Sequence, residues 1–145
     1  MRLLIDAGVD SIVDLTSPGD HLDPYHDALQ VVAAKVGRQV QHFAHPIPDM
    51  GVIDPEGYDA IVARIRAEMH AGRVVYVHCW RGKGRTSTVV GFLLIDDGMD
   101  YDSAIARIAK LREGTRKAHK ACPESPVQHR ALRERAAQRL KPQTN

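Results

Sequence analysis

His78-Cys79-Trp80-Arg81-Gly82-Lys83-Gly84-Arg85-Thr86 separates two apolar segments of the chain. Before it runs Val74-Val75-Tyr76-Val77, a β-branched and aromatic stretch with the composition of a buried strand. After it runs Thr86-Ser87-Thr88-Val89-Val90-Gly91-Phe92-Leu93-Leu94-Ile95, long enough for a buried helix. Strand, tight loop and helix aim backbone N–H groups and a helix N-terminus at one point, which favours negative charge there. A cysteine at that point is favoured as thiolate, the form that attacks phosphorus. Arg85 carries a planar fork that holds two phosphate oxygens and stays charged at any working pH. Gly82 and Gly84 allow positive φ and close approach of the backbone to a ligand. Thr86 brings a hydroxyl near the sulfur, where it can donate to the departing thiolate in a second step. These residue types at this spacing point to phosphoryl transfer on Cys79, with Trp80, Arg81, Gly82, Lys83, Gly84 and Arg85 as the phosphate cradle.

With its flanks, His78-Cys79-x5-Arg85-Thr86 resembles the signature loop of the cysteine-dependent protein tyrosine phosphatases, and within them the small dual-specificity branch. A bare Cys-x5-Arg would read equally well as a buried cysteine and a surface arginine. The strand, the histidine, the glycines and the threonine carry the resemblance. It implies a dual-specificity-phosphatase-like α/β fold and hydrolysis through a cysteinyl-phosphate intermediate.

The resemblance extends in both directions along the chain. Phe43-Ala44-His45-Pro46-Ile47-Pro48-Asp49-Met50-Gly51-Val52 is similar to the mobile loop that carries the general acid in this family, which makes Asp49 the candidate acid. The leaving alkoxide or phenoxide needs such a proton, a contribution of roughly 10²–10⁴ in rate. Asp54, in Ile53-Asp54-Pro55, is the competing carboxylate but reads better as a helix N-cap with Pro55 at the first position. Cys122-Pro123-Glu124-Ser125-Pro126-Val127-Gln128 resembles the family's late segment, whose glutamine helps place the hydrolytic water in some relatives. Gln128 is therefore a supporting candidate, with an exposed helix position as the alternative. His78 reads as a hydrogen-bonding residue that orders the loop, and Trp80 as a packing residue rather than a rim. Cys122 reads as an inert thiol, with a resolving role toward an oxidised Cys79 as the alternative.

Two features depart from the family pattern. The opening Met1-Arg2-Leu3-Leu4-Ile5-Asp6-Ala7-Gly8 looks like the middle of the family's first helix, and Ser87 stands where many relatives place glycine. The loop also carries Arg81 and Lys83 besides Arg85. A lysine there resembles the lipid- and inositol-phosphate phosphatases of the superfamily. Three function classes thus remain: a phosphatase of protein phosphotyrosine (and of phosphoserine or phosphothreonine), a phosphatase of phosphoinositides or inositol phosphates, and a non-catalytic phosphate-binding module.

With 145 residues the chain has the length of one catalytic domain, with a tail expected to fray over 141–145. Net charge is only +2, but residues 1–72 hold five Lys/Arg against eleven Asp/Glu, and residues 73–145 fifteen against seven. The basic half contains the signature loop, which suits an anionic substrate. Arg133, Arg135 and Arg139 read instead as a solvated helix face. The two cysteines have unrelated contexts, so no disulfide framework is expected and a reducing, cytoplasmic setting is. No apolar run approaches membrane-spanning length. Eight histidines lack metal-ligand spacing. The expectation is a monomer without cofactor, metal or nucleic-acid partner.

Periodicity predicts strands over 11–15, 39–43 and 74–77, alternating with helices over 23–36, 55–71, 85–97, 101–112 and 125–140. On the second helix Tyr58, Ile61, Val62, Ile65 and Met69 form one stripe; on the fourth, Ile105, Ile108 and Leu111 point inward. Such alternation implies a mostly parallel central sheet flanked by helices, with the signature loop at a strand's C-terminal end.

Overall fold

The computed structural model describes residues 1–80 and 84–140. Strands β1 (Ser11–Asp14), β2 (Gln41–Ala44) and β3 (Val75–His78) form one parallel sheet in the order β2-β1-β3. Ser11 pairs with Gln41 on one side and with Val75 on the other. The short helix α1 (Arg2–Asp6) precedes the sheet, α2 (His26–Ala34) joins β1 to β2, and α3 (Pro55–His70) joins β2 to β3. Helices α4 (Gly84–Asp96), α5 (Tyr101–Leu111) and α6 (Pro126–Leu140) follow. This is the parallel α/β architecture that the alternating pattern implies.

The central strand divides the core. Successive side chains of a strand point to opposite faces. Val13 accordingly packs with Tyr58, Ile61 and Ile65 of α3 and with Val89, Phe92 and Leu132 beyond. Ile12 packs on the other face with Ile5, Leu29, Ala33 and Val40. Covered on both faces, β1 must carry its polar ends on internal partners. Ser11 bonds Glu68 of α3, and Glu68 in turn pairs with Arg73 at 3.0 Å. Because all three strands run parallel, Asp14, Ala44 and His78 end at the same side of the sheet. Every group of the candidate site is delivered from that side.

Helix α3 follows its expected signals closely. The Asp54 carboxylate accepts from the Gly57 amide at 2.7 Å, Pro55 occupies the first position, and Gly72, at φ +79°, ends the helix. Asp54 is therefore a cap and spent in that role.

Several expectations require correction. Helix α2 begins at His26, not at 23. The chain before it forms a 3₁₀ turn over Pro18–Asp20, and Asp23 precedes a proline, which disfavours helical backbone. Strand β2 starts at Gln41 rather than 39, since its partner β1 begins only at Ser11. Met69 is 59% exposed, and Glu68 takes the inward position because Ser11 and Arg73 satisfy its carboxylate. Leu111 is also exposed: α5 ends there, and Ala104 and Ile108 supply its buried ridge. Arg135 is more than a solvated cation, pairing with Asp96 at 2.8 Å and with Asp59 at 2.7 Å. The expected fraying of 141–145 lies outside the described residues.

Candidate active site

The site grows from the end of β3. His78 closes the strand, Cys79 follows at 6% exposure, and α4 begins at Gly84. The turn between them contains Arg81, Gly82 and Lys83, which lie outside the described residues. The Thr86 hydroxyl, in the first turn of α4, donates to Cys79 Sγ at 3.1 Å. Gly84 is required for space and not for positive φ: a Cβ there would lie 2.7 Å from Oε1 of Gln128 and 2.9 Å from Cγ of Glu124. Trp80 is 52% exposed, so the expectation that it packs inward is corrected. A single-residue step past the buried Cys79 turns its side chain outward.

Arg85 is the most heavily bonded group of the site and is almost fully buried. Its Nη1 donates to Asp20 Oδ2 at 2.7 Å and to the Ile47 carbonyl at 3.1 Å, and its Nη2 donates to Asp20 Oδ1 at 3.1 Å. Asp20 thus takes the terminal edge of the guanidinium in a bidentate pair. Among the described residues nothing is bonded to Nε, so the Nε–Nη2 edge remains open, and an Asp49 oxygen stands 3.5 Å from Nη2. That edge offers the fork geometry that two phosphate oxygens fit. Burial works against the charge of Arg85, but the bonds from Asp20 outweigh it, and the charges of Cys79 and Asp49 act in the same direction.

Sequence reading missed Asp20. It sits at the end of the 3₁₀ turn, where its Oδ2 also accepts from the Ser17 amide at 2.7 Å. The signal was present: Ser17 and Asp20 have capping-box spacing, and Pro18 stands at the first position. The bond from Arg85 holds the Asp20 carboxyl below its ordinary value of 3.8, against the opposing effect of burial. A depressed carboxyl contributes stability above its unfolded value and loses it as pH falls through its folded value. Asp20→Asn is therefore expected to lower stability at neutral pH, and the difference from wild type should close as pH drops below about 4. Asp20→Ala should cost about 3–5 kcal/mol, because it strands a buried guanidinium. Urea unfolding at pH 7 and at pH 3 tests both; a difference of equal size at the two pH values would exclude an ionised Asp20 as its source.

Asp49 lies in a tight turn in which the Gly51 amide donates to the Pro48 carbonyl at 3.0 Å. Met50 holds φ +61°, a region costly for a residue with a side chain, and its amide donates to Asp49 Oδ1 at 3.0 Å. The start of α6 straps this turn. Ser125 Oγ donates to the Met50 carbonyl at 2.7 Å, and Gln128 Nε2 donates to the Gly51 carbonyl at 3.3 Å. Gln128 is fully buried, which corrects its reading as an exposed helix position. Its Oε1 accepts from the Ser125 amide, so both ends of the amide are engaged. Ser125, like Asp20, was not among the sequence candidates.

Behind Cys79 lies a second polar layer. His78 Nε2 and the Tyr25 hydroxyl are 2.6 Å apart, and Asp14 is 3.6 Å from the same nitrogen. Asp14 also accepts from His42 at 2.9 Å and from the Thr16 amide at 2.9 Å. Burial alone would raise the Asp14 carboxyl; the bonds from Thr16 and His42 hold it below its usual range. Burial and the charge of Asp14 push the Tyr25 phenol upward, so it remains protonated. His78 is thus the hydrogen-bonding residue expected at this position. Cys122 is half-buried, paired with Ser87 Oγ one residue beyond Thr86, and its thiol is pushed up by burial. Among the described residues no group of three or more His, Cys, Asp or Glu side chains has metal-site geometry, and no helix is long and apolar enough to cross a membrane.

A strand-to-helix loop holding a buried cysteine, an anchored arginine and a nearby carboxylate defines the cysteine-dependent phosphatase class. The family model PTP-SAK, the DSP-PTPase phosphatase domain of the Swiss Army Knife proteins, matches residues 1–140. The chain belongs to this family and is a phosphatase of the protein tyrosine and dual-specificity superfamily. Solved structures share the fold. The active form of Tk-PTP is 24% identical and superposes with a TM-score of 0.72, over 94% of this chain and 86% of that one. PTPMT1 in complex with PI(5)P is 21% identical with a TM-score of 0.72, over 94% of this chain and 82% of that one. Kinase associated phosphatase, carrying serine for its catalytic-site cysteine, is 22% identical with a TM-score of 0.70, over 92% of this chain and 74% of that one.

Proposed function

We propose that this chain hydrolyses phosphomonoesters by transferring the phosphoryl group to Cys79 and then to water. The observation that carries the proposal is the open Nε–Nη2 edge of Arg85, with Asp49 3.5 Å from it and Cys79 in the same loop. A phosphoryl group seated on that edge has the thiolate on one side. Asp49 lies within reach of the ester oxygen on the other. Sγ attacks phosphorus, the P–O bond breaks, and Asp49 gives its proton to the leaving oxygen. Water then attacks phosphorus, Asp49 takes its proton, and the P–S bond breaks to release phosphate. The Thr86 hydroxyl stabilises the thiolate that forms in this second step. Asp20 and Ile47 act through Arg85, fixing its plane without touching substrate. Ser125 and Gln128 act through the Asp49 turn.

The sequence expectation for substrate is protein phosphotyrosine. It is compatible with the single arginine fork, which needs only one phosphate. Phosphorylated inositols are the second reading, favoured by a concentration of cations next to the site, and the PTPMT1 likeness was captured with such a ligand.

Asp49→Ala should lower kcat by roughly 10²–10⁴ on an alkyl phosphate, whose leaving group needs the proton. On para-nitrophenyl phosphate the loss should be much smaller. Steady-state kinetics on the two substrates checks this. Equal losses on both, or a larger loss from Asp54→Ala, would move the acid elsewhere.

A further inference from the structure

Residues 110–120 carry five Lys/Arg and a single acid, Glu113. The segment is an ordered coil and not a loose loop. Its backbone closes three successive tight turns: Thr115 N to Arg112 O at 3.1 Å, Ala118 N to Thr115 O at 3.2 Å, and Lys120 N to Lys117 O at 3.0 Å. The Arg112 guanidinium runs through its middle, donating to the Lys117 carbonyl at 2.8 Å and to the Lys120 carbonyl at 3.0 Å. Arg116, Lys117 and Lys120 are thereby borne on two adjacent turns, all exposed, and among the described residues none of the three has an acidic partner. Cations held this close repel one another, and folding gains nothing from them.

The coil ends beside the phosphate loop. Cys122, two residues past Lys120, bonds Ser87 in the first turn of α4, next to the Thr86 that bonds Cys79. Its thiol is near enough to feel the charges of both Arg112 and Cys79. Glu124 packs against Gly84, at the foot of the same loop. The join is clamped from behind, with His129 bonded to the Pro123 carbonyl at 2.7 Å and to the Tyr101 hydroxyl at 2.7 Å. A rigid cationic platform therefore adjoins a site already built for one phosphate.

We propose that the 112–120 coil is a subsite for a second phosphate, and that the substrate is a small polyol carrying two or more phosphates, free or as a lipid headgroup. The inference rests on the phosphomonoesterase reading above and names its substrate class. Compactness selects the class: cations on two adjacent turns suit a dense polyanion, whereas a peptide would need charges spaced along an extended chain. Contacts of this kind act over about 8–10 Å and weaken with salt. They steer and hold an anion rather than perform chemistry.

The test compares kcat/KM on inositol hexakisphosphate with that on para-nitrophenyl phosphate, at low and at physiological salt. In the Arg116→Ser, Lys117→Ser, Lys120→Ser variant the ratio should fall about tenfold at low salt, the sum of three exposed charge contacts. Glu113→Gln, which removes the only acid of the coil, should raise it. Vesicles containing phosphatidylinositol phosphates form a separate arm: a fall confined to vesicles assigns the lipid headgroup, and one confined to the soluble substrate assigns the free polyol. An unchanged ratio in the triple variant overturns the subsite, and an equal fall on a doubly phosphorylated peptide overturns the polyol class. A wild-type protein inactive on every substrate would instead refute the phosphatase reading. The subsite would then be judged by calorimetric binding of inositol hexakisphosphate to wild type and to the triple variant.

Discussion

Cys79→Ser is expected to abolish turnover while leaving phosphate bound. The serine hydroxyl is neutral near pH 7, and a neutral hydroxyl attacks phosphorus only with a base to take its proton. Among the described residues the one group bonded to the Cys79 sulfur is the Thr86 hydroxyl, which donates to it and is no base. Replacing the sulfur thus removes the nucleophile without supplying another. Loss of a covalent nucleophile costs roughly 10⁵–10⁶ in kcat in enzymes where it has been separated from binding. Binding should survive, because Arg85 remains fixed by Asp20 and Ile47, whose contacts do not involve the sulfur. Single-turnover kinetics should show a phosphorylated Cys79 in wild type, and calorimetry should show phosphate or vanadate binding in the variant. Label trapped on Cys122, or appreciable turnover by Cys79→Ser, would assign the nucleophile elsewhere.

The parts of this fold that were legible in the sequence are those governed by neighbours in sequence. The Asp54-Pro55 start and the Gly72 stop of α3 are local signals, and local geometry obeys them. The strand before Cys79 and the helix after it announce themselves by composition, which is why the loop between them could be read as a phosphate cradle. What escaped reading depends on partners distant in the chain. Glu68 displaces Met69 from the buried stripe only because Ser11, fifty-seven residues away, supplies the hydrogen bond that its burial needs. Gln128 looks like an ordinary polar position of α6 until the turn at Met50 and Gly51 is laid against it. Leu111 looks like a core residue until α5 is seen to stop beneath it.

Within the site the same division holds. Cys79, Arg85 and Thr86 share one short motif, and their spacing alone implies convergence. Asp20 lies sixty-five residues from Arg85 and has no reason in the sequence to be more than a turn residue. Its selection follows from topology. The turns after β1 and β2 are brought to the same side of the sheet as the loop after β3, so a carboxylate from the first and a carbonyl from the second can meet an arginine from the third. An arginine that must be both buried and open on one edge needs a partner for its other edge, and the fold supplies it from across the sheet.

That partnership makes Arg85→Lys the second severe substitution. Lysine keeps the charge but replaces a planar fork by a point. It cannot bond both oxygens of Asp20, reach the Ile47 carbonyl, and still present two parallel N–H groups to a phosphate. Its ammonium would be drawn to Asp20, the strongest negative charge beside it, and so away from the substrate edge. The equatorial oxygens of the transferring phosphoryl group would lose their stabilisation at the moment their charge is greatest. An arginine serving this purpose is worth about 10³–10⁵ in rate in other phosphoryl-transfer enzymes, and a fall of roughly 10³ or more in kcat/KM is expected here. Stability should suffer far less than in Asp20→Ala, since a cation remains opposite the carboxylate. Measuring kcat/KM together with the urea midpoint for both variants separates catalysis from folding. If Arg85→Lys kept near-normal kcat/KM with an unchanged midpoint, the bidentate grip on the phosphate would be wrong, and with it the reason for Asp20 to be buried.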